Sequence, residues 1–275
     1  MTALSGRPVV NVYDLADLSG CNVFVNWRAM VTAGYWEDLL AMRGLLAHEH
    51  AHPLAENEST LASRHSRLRI ADCGLRIEED ENSKSEIQNL KSKIVPVLTA
   101  LAEKLCLFAP REIFANEMTI QSGFAEALLH LNLRNAENAS SSVAGRGDLA
   151  RQLEQEMVHG NLTPIAADLL LLAGDLNSYL PLALEIAPFY RAGRAADARA
   201  LEAVLETAVF PCLDPLAAQA FNTLREHYIT LQPNLTPAKL IAWDHAVLNV
   251  LTGALAGKGL TVQVYLWMDN LEGVE

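Results

Sequence analysis

Between His48 and Glu58 the chain runs HEHAHPLAENE, three histidines and three glutamates in eleven positions. Imidazole nitrogens and carboxylate oxygens are the common protein ligands of Zn²⁺. Two spacings compete for the backbone. His48 and His52 are four residues apart, so on an α-helix both rings stand on one face and can aim at a single ion. Glu49 then lies about 100° round the helix from His48, within reach of a water at that ion without being a ligand itself. On a β-strand, where side chains alternate, His50 and His52 would share a face instead, with Glu56 a little further along.

The elements around the segment favour the helix. Leu39, Leu40, Met42, Leu45 and Leu46 recur at helical spacing, and Glu37 and Asp38 stand near the start, where carboxylates suit the helix dipole. Pro53 directly follows the second histidine and cannot donate to the carbonyl of Glu49, so it either distorts that turn or ends the helix there. Upstream, RPVVNVYDL (7–15) and NVFVNWRAM (22–30) are rich in β-branched and aromatic residues and read as strands. Downstream the pattern predicts helices over 59–72, 84–107, 111–133, 147–159, 164–178, 181–192, 195–209, 214–231 and 236–256. Pro164, Pro181, Pro215 and Pro237 fall near their starts, where a missing N–H costs little. NAENASSSVAGRG (135–147) lacks hydrophobic periodicity and reads as a linker, and the alternating LTVQVYLWM (260–268) as a strand returning to the N-terminal sheet. The expected fold is mainly α with a small N-terminal β-sheet (α+β), divided into a metal-binding part at 1–134 and a helical part at 148–275 that closes a cleft.

HEHAH at 48–52, following two strands and an apolar helical approach, resembles the HExxH metallopeptidases of the zincin superfamily. The resemblance covers roughly residues 7–133 and is closest to the gluzincin branch, in which a glutamate on a later helix, often preceded by asparagine, supplies the third ligand. Asn116-Glu117 matches that pattern, on a stripe formed by Ile113, Glu117, Ile120, Phe124 and Leu128. A charge on such a face needs a partner, either the metal or an arginine such as Arg111 or Arg134. Gln121, one turn on, could hydrogen-bond a ligand histidine. The local alternatives are Glu58, six residues after His52 as in metzincins but with Ala55 where their turn glycine stands, and Glu56. The resemblance implies a zinc-dependent hydrolase, a peptidase acting on a peptide or protein substrate, with Zn²⁺ on His48, His52 and Glu117 and with Glu49 as general base. It further implies an oxyanion-stabilising Tyr or His, for which His159, Tyr190, His227 and Tyr228 are candidates, and an edge strand such as NVFVNW (22–27) that pairs with substrate. The alternative from another class is a non-catalytic binding protein on a zincin scaffold. A third reading starts at Gly44, where G-x5-H-x-H-x3-E resembles the first cupin motif, but Ser63 replaces its closing glycine and the chain has too few strands for that barrel.

Composition sets the outer bounds. The 275 residues are 51% hydrophobic and 20% charged, a globular balance. The net charge of −12 and pI near 5.1 repel phosphate backbones, so nucleic acid is not an expected partner. The most apolar run (165–184) carries Asp168, Asp175 and Pro181, which argues against a bilayer span. MTALSGRPVVNVYDL lacks a basic stretch followed by an apolar one, and Cys21, Cys73, Cys106 and Cys212 are scattered with no C-x-x-C; both lead to the expectation of a cytoplasmic protein with free thiols.

Overall fold

A computed structural model describes residues 8–12, 22–75 and 81–269. The chain is mainly helical with two small antiparallel sheets. β1 (Val9–Val12) pairs with β2 (Asn22–Val25), so the expected N-terminal strands form. The second is shorter than its apolar run, because Asn26 caps a helix, α1 (Trp27–Thr32), by accepting from the Ala29 amide. Residues 7 and 13–15 of the first run lie outside the described residues.

α2 (Leu39–Leu54) carries the histidines. Asp38 caps it and also ties its start to a neighbouring helix. Its Oδ1 accepts the Ala41 amide at 3.0 Å, and its Oδ2 lies 2.8 Å from His130 Nε2, a contact from α6 (Ala125–Val158). Midway along α2, Gly44 lets the two helices meet: a Cβ there would fall 2.4 Å from the Ala127 carbonyl oxygen and 2.7 Å from its carbon. The glycine that could have opened a barrel motif is therefore a helix-crossing residue.

Three expectations are corrected by the path that follows. The helix predicted over 59–72 is α3 (Glu58–His65) and then a strand, β3 (Ser66–Leu75). β3 pairs with β4 (Leu260–Met268), so the C-terminal strand does not return to the N-terminal sheet. Both strands lean on helices, β3 on α4 (Glu81–Leu105) and β4 on α11 (Pro237–Ala256). The stretch read as a linker, 135–147, lies wholly inside α6, and the boundary drawn at 134 and 148 falls within that one helix. Its small polar residues have no apolar stripe, but Ala136 is buried and Arg146 grips the buried Asp175 of α7 (Pro164–Tyr179), Nε to Oδ1 at 2.7 Å and Nη2 to Oδ2 at 3.0 Å. Tertiary contacts thus hold a helix that local pattern does not announce.

α5 (Ala109–Thr119) runs into a single π-turn, Ile120–Phe124, before α6 begins. The remaining helices, α7, α8 (Ala183–Arg191), α9 (Ala195–Ala208), α10 (Pro215–Ile229) and α11, pack around a core whose largest fully buried side chains include Tyr228, Phe189, Phe221 and Met30. Pro164–Arg191 is long and apolar enough by composition to cross a membrane, but 61% of its most apolar window is buried in the fold, as in a core helix. Among the described cysteines, Cys106 is buried and Cys212 exposed, both free thiols.

Candidate metal centre

α2 packs against α5 and α6, and this crossing brings a third ligand-type residue to the histidine pair. His48 and His52 stack edge to face with ring centroids 4.7 Å apart, as the i, i+4 spacing requires. The carboxylate that meets them is Glu112. His48 Nε2 lies 3.2 Å from Glu112 Oε2, and His52 Nε2 lies 3.9 Å from Glu112 Oε1. Ligand atoms of the three residues all lie within 4.8 Å of one another. Tetrahedral zinc with bonds of ~2.0–2.1 Å separates its ligand atoms by about 3.4 Å, and the two measured approaches, one to each Glu112 oxygen, lie near that spacing. His48 Nδ1 is buried without a hydrogen-bond partner among the described residues.

The electrostatics set two of the three residues, Glu112 and His52, in donor states. Burial opposes ionisation of Glu112, but the hydrogen bond from His48 and the charges of His52, His48 and Arg111 prevail and hold its carboxyl at about 2. Burial and the neighbouring His48 charge push His52 down to about 4, so that ring is neutral at physiological pH. His48 is drawn the other way: burial lowers its pKa, yet Glu112, Glu49 and Asn116 together raise it above the ordinary value. An ionised carboxylate and a neutral imidazole are the states that bind metal.

The three residues border a cavity of about 640 Å³. Glu49, Arg111, Asn116, Glu103, Lys104, Asn132, Asn135 and Glu185 also face it, and Val9 of β1 closes one side. The nitrogen of the Asn116 amide donates to the Leu184 carbonyl at 3.3 Å, which fixes the side chain beside His48.

The expected site is therefore brought together in part. His48, Glu49 and His52 share the cavity, as the helical spacing requires. Glu117 does not join them. Its Oε2 accepts from Arg191 Nε at 3.0 Å and Nη2 at 2.9 Å, and the same guanidinium donates to the Ile229 and Leu231 carbonyls. A half-buried carboxylate needed a cation, and α8 supplied it. Glu56 accepts from Thr60 Oγ1 at 2.8 Å and from Arg64, and Glu58 is an exposed first-turn residue of α3. Gln121 is exposed in the π-turn, where Gly123 at φ 88° breaks the stripe that a continuous helix would have drawn through Leu128. His50 points outward, its Nδ1 2.7 Å from the Leu46 carbonyl oxygen. Pro53 ends the matter at the helix terminus: α2 stops one residue later, with the Ala55 amide bonded to Ala51 and His52. None of His159, Tyr190, His227 or Tyr228 borders the cavity; Tyr190 bonds Glu202 at 2.7 Å and Tyr228 bonds the Leu105 carbonyl at 2.9 Å.

Glu112 and Glu185 escape sequence reasoning. Glu112 follows Pro110 in the first turn of α5, where a carboxylate is expected for the helix dipole alone. The signal that could have singled it out is Asn116, one turn on and hence on the same face. Comparison with protein-family models, with curated proteins and with solved structures finds no match.

Proposed function

We propose that this chain is a zinc-dependent hydrolase acting on peptide bonds, with His48, His52 and Glu112 as ligands and Glu49 as general base. The observation that supports it most is the convergence of two imidazoles and one ionised carboxylate on a single point of a ligand-sized cavity, with a further carboxylate on the next residue of the helix. Two histidines and a glutamate form a recurrent catalytic zinc set, in which a fourth position stays open. A zinc ion there would polarise the scissile carbonyl and make water acidic enough to attack at neutral pH. Glu49 faces the same cavity, takes the proton as the water oxygen adds to the carbonyl carbon, and delivers it to the departing amine nitrogen. Asn116 and the Leu184 carbonyl that holds it keep His48 in register.

The test is metal content by mass spectrometry together with hydrolysis of a quenched-fluorescence peptide library. The expected result is one zinc per chain, cleavage abolished by chelator, cleavage reduced at least about a hundredfold by Glu49→Gln with zinc retained, and zinc lost in Glu112→Gln. Stoichiometric zinc without any chelator-sensitive cleavage would refute the hydrolase and leave a metal-binding protein.

A further inference from the structure

Glu185 is a cavity carboxylate that the proposed chemistry does not use. It comes from α8, a helix that carries no proposed ligand, and it is placed by a relay. Tyr35 donates its hydroxyl proton to Asn135 Oδ1, which leaves the Asn135 amide nitrogen to donate to Glu185 Oε1 at 3.1 Å. The nitrogen of Asn132 donates to the Glu185 backbone carbonyl at 3.0 Å. Among the described residues none donates to the other oxygen, Oε2, or to Asn132 Oδ1, and both residues line the cavity. Burial, helped by the charge of Glu112, pushes the Glu185 carboxyl up to about 7 against the Asn135 bond and the charges of Lys104 and His48.

We infer that Glu185 anchors a protonated amine of the substrate, so that the cavity selects peptides presenting a free primary ammonium group. The inference rests on the hydrolase reading for its substrate class. An ammonium carries three donors and no acceptor, and it needs acceptors that are held in place and not already taken. Glu185 Oε2 and Asn132 Oδ1 are two such acceptors. A carboxylate or phosphate at this end would face Glu185 as a like charge, and a neutral group would leave the carboxylate with no closer counter-charge than Lys104 in a poorly solvated wall. Charge-assisted bonds in such a setting are the strong ones, which makes the ammonium the chemistry that gains most. It can be the α-amine of a peptide N-terminus or a lysine side chain.

The experiment measures binding by calorimetry to Glu49→Gln protein, with and without zinc. The probes are trialanine, N-acetyl-trialanine and N-acetyl-Ala-Lys-Ala-amide. Trialanine or the lysine peptide is expected to bind at least about tenfold more tightly than N-acetyl-trialanine. Whichever of them does so identifies the amine as terminal or lysyl. Glu185→Gln is expected to abolish the preference while leaving zinc content and N-acetyl-trialanine binding unchanged. Equal affinity for all three probes, or equal loss for all three in Glu185→Gln, overturns the inference. Should Glu185→Gln fail to fold, the wild-type preference and its reduction in Glu185→Asp decide. Should the protein bind no zinc, the hydrolase reading falls alone, and the amine preference of the metal-free protein still decides this one.

Discussion

Asp244 offers a prediction with a magnitude. It lies in α11 with no exposed surface, and neither carboxylate oxygen has a hydrogen-bond partner among the described residues. The surrounding polar groups turn elsewhere: Cys106 Sγ lies 3.8 Å from the Asp244 backbone oxygen, and Tyr228 donates to Leu105. Burial alone moves the carboxyl from 3.8 up to about 7. A folded pKa above the unfolded one means that stability is complete below the unfolded value and falls as pH rises, because the unfolded chain releases its proton first. A shift of about three units at 1.36 kcal/mol each makes the full loss about 4 kcal/mol. Somewhat over half of it, roughly 2–3 kcal/mol, falls between about pH 5 and pH 8. Asp244→Asn keeps the shape and cannot ionise. In urea unfolding followed by circular dichroism, the stability of the variant relative to wild type is expected to improve by that amount between the two pH values. Parallel pH profiles for the two proteins would refute the reasoning, since they would require Asp244 to have a partner or solvent in the folded state.

The remaining predictions concern how the site is held. Gly44→Ala should destabilise the protein by more than the ~1 kcal/mol that alanine gains in a helix interior, because the added Cβ meets backbone of α6 2.4 Å away and nothing there can rotate aside; thermal unfolding and zinc affinity should fall together. Glu117→Gln should leave zinc stoichiometry intact but cost several kcal/mol, about 3–5 as for a broken buried pair, because Arg191 is only 9% exposed and loses its counter-charge; loss of zinc without loss of stability would contradict the assignment of Glu112 over Glu117. Asp175→Asn should loosen α6 where it crosses α7, with a cost toward the lower end of that ~3–5 kcal/mol range because Arg146 keeps 21% of its side chain exposed. Limited proteolysis should then cut within 135–147 faster than in wild type.

Several features were decided by local chemistry and could be read from the chain. The i, i+4 pair at His48 and His52 stands on one face of any helix, and Asp38 at its start and Pro53 at its end confine that helix to the residues between them. Pro164, Pro215 and Pro237 open α7, α10 and α11 for the same local reason, since a first-turn residue needs no N–H. The mainly helical class follows from the apolar period of the downstream segments. What needed tertiary structure was everything that depends on how one element is turned against another. Segment 135–147 is helix because Arg146 finds Asp175 on another helix. β4 joins β3 because α4 and α11 bring the two strands side by side. Glu112 and Glu117 are five residues apart, about 140° round one helix, and from sequence either could face the histidines. The rotation of α5 chooses between them. Ile113 and Phe114 are buried and Arg191 takes Glu117, which leaves Glu112 to face α2 and complete the cluster with His48 and His52.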